Sequence, residues 1–222
     1  MNKILVISVH PDDETLGCGG TLLKHKGNGD EINWLILTKA NDKFISTPNI
    51  EQIQADFVKE VSIKYGFKDT FHLPFLEIEL DKYPLGEIIR EISNYIDQIK
   101  PSVIYFNHYN DVHSDHRIAF DAIYSCTKSF RYPFITKILM YETLSETEFA
   151  PALPCASFTP NVYVDITDYL DQKIEIMKLY ETELMEEPYP RSISSIEALA
   201  RFRGSRAGVK YAEAFMLLYE KI

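Results

Sequence analysis

Two short runs hold the residues most able to do chemistry. The first, His10-Pro11-Asp12-Asp13-Glu14, packs one imidazole and three carboxylates into five residues. The second, His113-Ser114-Asp115-His116, ends a ten-residue stretch, 107–116, that contains three His and two Asp. Adjacent carboxylates repel, so the first run costs free energy unless a cation joins it. One Asp would cap the following helix adequately, and two Asp, a His and a Glu exceed what a cap needs. Together the runs offer His, Asp and His as metal ligands. Two neutral imidazoles and one carboxylate, with a corner left for water, describe a catalytic zinc site, and the same set suits Fe(II) or another divalent ion. Neighbouring side chains point apart, so one of Asp12 and Asp13 faces the ion and the other the substrate. Spacing alone does not say which.

The elements around these runs set their positions. Residues 3–9 (KILVISV) and 103–107 (VIYFN) are short apolar runs, as expected of parallel strands buried on both faces. Each motif follows one of them. Further strands are expected at 32–37, 137–142 and 163–166, and one at 211–222. Helices are expected at 15–26, 50–65, 84–100, 116–129 and 168–184. The helix at 84–100 has the clearest pattern, with Leu85, Ile88, Ile89, Ile92, Tyr95, Ile96 and Ile99 on one face. Residues 39–49 and 143–160 read as loops. Alternating strands and helices predict an α/β fold: a Rossmann-like parallel sheet covered by helices on both faces, as one domain over residues 1–222. Sites in such sheets form at the carboxyl ends of the strands, where both motifs lie.

HPDDE after an N-terminal strand, the glycines Gly17, Gly19 and Gly20, and HSDH further on resemble the PIG-L/LmbE family of zinc-dependent N-deacetylases. The resemblance continues through Phe158-Thr159-Pro160-Asn161, Val164-Asp165-Ile166-Thr167, Lys173, Arg203-Gly204 and Tyr211-Ala212-Glu213-Ala214-Phe215. It implies that His10, Asp13 and His116 hold the metal and that Asp12 is the general base. It implies that His113 stabilises the oxyanion or serves as an acid, and that Asp115 orients His113 or His116. The implied reaction removes the acetyl group from an N-acetylated amino sugar or sugar conjugate. An amidase or esterase acting on a larger acyl group would use the same centre. Homo-oligomers are common among relatives and are compatible with this chain. Many relatives carry Arg-x-x-Glu where Gln54 and Phe57 stand here, and some have a Tyr where Asp111 stands, so their substrates do not carry over.

Candidates for substrate contacts lie outside the two motifs. Glu142 closes a strand at the functional edge and is a candidate for a substrate hydroxyl. Arg203 belongs to a cluster with Arg191, Arg201 and Arg206 that would grip a phosphate or, as the favoured reading, pair with acids such as Glu186, Glu187 or Glu213. The three cysteines lack metal or disulfide spacing and read as small buried hydrophobes. The net charge of −10 argues against nucleic acid. No apolar run reaches the roughly 18 residues of a membrane span. The expected location is the cytoplasm.

Overall fold

A computed structural model of the chain describes residues 1–45 and 47–222. Strand β1 (Lys3–Ser8) is buried from Ile4 onward and sits between β2 (Glu31–Lys39) and β4 (Val103–Asn107), parallel to both. Its side chains alternate between faces. Leu5 and Ile7 join one core with residues of α3 (Leu85–Ile99) and α4 (Ser114–Ser125). Ile4 and Val6 join the other with α1 (Asp13–Gly27), α2 (Ile50–Tyr65), α5 (Leu170–Met177) and α6 (Ile193–Ala207). Helices therefore cover both faces, as the sequence predicts. The sheet is completed by β3 (Asp69–Leu76), β5 (Lys137–Tyr141), β6 (Val162–Asp165) and β7 (Ala212–Glu220), in the order β3-β2-β1-β4-β5-β7-β6.

The structure departs from the sequence reading in five ways. The sheet is not wholly parallel, because β7 runs antiparallel between β5 and β6. Strand β3 was not expected. It is an edge strand with a half-exposed pattern and carries Pro74, which only an edge tolerates well. Helix α6 was also missed, since it buries only Ile196, Ala200 and Gly204. Its Ser192 cap, which accepts the Ser195 N–H, is the signal that would have found it. Helix α5 is much shorter than the expected 168–184. Of the cysteines, Cys155 is exposed and the other two are buried. Among the described residues no helix is long and apolar enough to cross a membrane.

Helix α1 lies tightly against the sheet at Gly17. A Cβ there would come within 2.2–2.8 Å of the Tyr141 ring, which is fully buried and donates its hydroxyl to the Ile7 carbonyl at 2.9 Å. Gly17→Ala is expected to cost about 1–3 kcal/mol through overpacking. Calorimetry should show a melting temperature lower by roughly 2–4 °C per kcal/mol.

Candidate active site

The path of the backbone opens the site. From β1 the chain moves outward to β2 and β3, then crosses back to β4 on the other side of β1. The loops leaving β1 and β4 diverge, and ligands bind in the crevice at such a switch point. The first loop carries 10–12 and leads into Asp13 at the start of α1, and the second carries 108–113 and leads into Asp115 and His116 in the first turn of α4.

Three of the expected ligands converge there. His116 Nε2 lies 3.4 Å from Asp13 Oδ2 and 3.4 Å from His10 Nδ1, and His10 Nδ1 lies 4.0 Å from Asp13 Oδ2. Donors bound at about 2.0–2.2 Å to a tetrahedral zinc stand about 3.3–3.6 Å apart, so the triad fits an ion with modest adjustment. A second group, His10, His113 and Asp115, is also close enough to hold an ion, and backbone N–H groups tie two of its members. Asp115 accepts the Ile78 and Leu80 N–H groups at 2.6 and 3.3 Å, and His113 Nδ1 accepts the Asp115 N–H at 3.1 Å.

Each imidazole of the triad is backed by its own carboxylate. His116 Nδ1 donates to Asp111 Oδ2 at 2.8 Å, and His10 Nε2 faces Asp115 Oδ2 at 3.4 Å. These contacts put the protons on the outer nitrogens and turn the lone pairs inward. Asp115 thus faces His10 with its carboxylate and donates its N–H to His113; the sequence names His113 or His116 as the residue it orients. Asp111 was seen in the sequence only as a departure from relatives, yet it is fully buried and held by the Thr147 hydroxyl at 2.7 Å. Burial opposes its ionisation, but His108 and His116 outweigh that and lower its pKa. His108 Nδ1 stands 3.6 Å from Asp111 Oδ1. Asp111→Ala is expected to weaken divalent-metal binding about 10- to 100-fold, measured by chelator competition.

The two aspartates of the first motif are pushed in opposite directions. Burial opposes ionisation of Asp13, but His116 and His10 more than offset it and hold the carboxyl well below its ordinary value. The Val9 and His10 N–H groups also donate to its Oδ2 at 3.0 and 2.8 Å. Asp12 is pushed the other way by burial and then by Asp13 and Glu183, with Arg191 opposing. Arg191 Nη1 lies 3.7 Å from Asp12 Oδ2 and 3.3 Å from Glu183 Oε2. The sequence reading left Arg191 in a cluster with other acids as partners, and did not mark Glu183.

His113 lines the same cleft, a cavity of about 210 Å³ that also borders Asp12, Glu77, Glu146 and Arg191. Burial, then His10 and His116, lower its pKa to about 4. At neutral pH it is therefore a neutral imidazole, and because Nδ1 accepts the Asp115 N–H its proton is on Nε2. Glu142 and Arg203 do not reach this cleft. They bind each other through two hydrogen bonds of 2.7 and 2.6 Å and line a neighbouring cavity of about 360 Å³ with Phe158. Glu213, another expected arginine partner, pairs instead with buried Lys173 at 2.7 Å.

Known proteins share this arrangement of the chain. It is 24% identical over 220 residues to diacetylchitobiose deacetylase of Thermococcus kodakarensis, covering 96% of this chain and 82% of that protein. It is 22% identical over 192 residues to a probable N-acetyl-alpha-D-glucosaminyl L-malate deacetylase 2 of Bacillus anthracis, covering 81% of this chain and 80% of that protein. The crystal structure of a conserved protein from Thermus thermophilus superposes with a TM-score of 0.79 at 24% identity, over 100% of this chain and 97% of that one, and so shares the fold. The family model PIG-L, described as GlcNAc-PI de-N-acetylase, matches residues 5–127, over half of the 222 residues and including both motifs, and the chain belongs to that family.

Proposed function

We propose that the protein is a metal-dependent N-deacetylase that hydrolyses the acetamide of an N-acetylated amino sugar or sugar conjugate, yielding acetate and a free amine. The observation that carries this reading is the convergence of His10, Asp13 and His116, with the electrostatically distinct Asp12 beside them. The deacetylase names of the relatives support it. Zinc is the ion the donor set suits best, with Fe(II) second.

His10, Asp13 and His116 would hold a divalent ion, which would supply Lewis-acid chemistry and lower the pKa of a water towards about 7. Asp12, the carboxyl with the higher pKa, accepts a proton from the attacking water and can return it to the leaving nitrogen. Arg191, 3.7 Å from that carboxylate, favours its ionised form against the burial that opposes it. Neutral His113 donates its Nε2–H towards the oxygen that becomes negative. Asp13 stays ionised throughout and contributes charge, not proton transfer. The cleft, at about 210 Å³, is smaller than the roughly 300–1,000 Å³ of sites for drug-sized ligands. That size favours an acetyl group over a long acyl chain.

The test incubates the zinc-loaded protein with N-acetylglucosamine, N,N′-diacetylchitobiose, longer N-acyl sugars and acetyl esters. Acetate and primary amine should appear in equal amounts from the N-acetyl sugars. Hydrolysis confined to longer acyl groups or esters would overturn the reading.

A further inference from the structure

Asp12 occupies a backbone conformation that residues with a side chain seldom adopt, with φ 131° and ψ −30°. Such a conformation is strained and persists only where its surroundings over-determine it. Asp12 is also the cap residue of α1, yet its side chain makes no capping hydrogen bond. Its carbonyl accepts the Thr15 and Leu16 N–H groups at 3.0 and 2.8 Å. Its N–H turns away and donates to Glu14 Oε2 at 3.1 Å.

Glu14 is fully buried, and the reaction described above gives it no task. Its other oxygen accepts the Thr15 hydroxyl at 2.5 Å and the Tyr180 hydroxyl at 2.7 Å. Thr15 in turn accepts the Tyr65 hydroxyl at 3.0 Å. Tyr65 ends α2 and Tyr180 follows α5, and both are fully buried. Thr15 and Tyr180 thus hold one carboxylate oxygen, Tyr65 holds Thr15, and the other oxygen takes the N–H of the strained Asp12 peptide. A cap made by Asp12 itself would point its carboxylate back at the helix.

We infer that Glu14 is a positioning residue for the proposed reaction: by holding the Asp12 N–H it locks the strained peptide and frees the Asp12 carboxylate from capping so that it serves the cleft. The inference rests on Asp12 being the proton acceptor. Glu14→Gln keeps a carbonyl oxygen for the Asp12 N–H, and both hydroxyls can rotate to accept from the new amide. Glu14→Ala removes the acceptor.

The test measures kcat, KM and bound zinc for Glu14→Gln, Glu14→Ala and Asp12→Ala in the zinc-loaded protein. Misplacing a reacting group by about 1 Å costs about a hundredfold, so Glu14→Ala should lose about that much kcat, with KM within about threefold and zinc stoichiometric. Glu14→Gln should recover to within about tenfold of the parent. The inference is overturned if Glu14→Ala keeps the parental kcat, if its loss follows loss of zinc, or if Glu14→Gln is as inactive as Glu14→Ala. If Glu14→Ala does not fold, Tyr180→Phe replaces it: a kcat about tenfold lower at unchanged KM and zinc content supports the role, and an unchanged kcat overturns it. Full activity in Asp12→Ala would instead refute the assignment of the base.

Discussion

Asp12→Asn keeps its zinc and loses turnover by about a hundred- to ten-thousandfold, the usual worth of a positioned general base. The substitution preserves size and leaves His10, Asp13 and His116 intact, so metal analysis should give the parental stoichiometry. The pH profile carries a second signature. The base works only when ionised, so kcat/KM must fall as pH drops through its pKa. Burial first, and then the charges of Asp13 and Glu183, raise that pKa, so the acid limb should lie above the ordinary carboxylate range. Arg191 lowers it, and Arg191→Met should therefore move the limb to higher pH. Movement to lower pH, or none, would show that another group titrates.

His116→Ala abolishes stoichiometric metal binding and takes activity to background, because two of three protein ligands do not hold an ion at a catalytic corner. Adding chelator to the parent protein should stop the reaction and excess zinc should restore it. Acid competes for the same position. Burial disfavours a charged His116, but Asp13 and Asp111 outweigh it and raise its pKa well above the usual imidazole value. A metal ion must displace that proton. Apparent affinity should therefore rise with pH, by about tenfold per unit where one proton is released. A pH-independent affinity would place the ion elsewhere.

The centre of the fold is readable from residue order because strands such as VIYFN at 103–107 are apolar on both faces, a pattern few other structures require. The two motifs are equally legible, each compact and attached to such a strand, while the choice of Asp13 over Asp12 rests on the family resemblance. The rest depended on the tertiary path. Strand β3 gains its place by pairing with β2 at an edge, where Pro74 and polar residues are tolerated, so its own pattern is weak. Arg191 and Glu183 enter the cleft from a late segment with no repeat or spacing that ties them to Asp12. Asp111 reads as one more loop acid until its carboxylate is seen against His116. Glu142 and Arg203 pair with each other across 61 residues, a partnership that no spacing rule gives. No spacing rule reveals the unusual φ of Asp12, which gives Glu14 its partner.

The crevice between β1 and β4 is a property of chain routing. It persists under any substitution that leaves those strands apolar, so the scaffold can drift widely while the cavity stays in place. Selection then acts on a few rim segments whose lengths and side chains can change independently of the interior. A redesign that grafted residues 141–149 or 183–191 from another sequence should alter which molecule enters while leaving the ion-holding framework untouched.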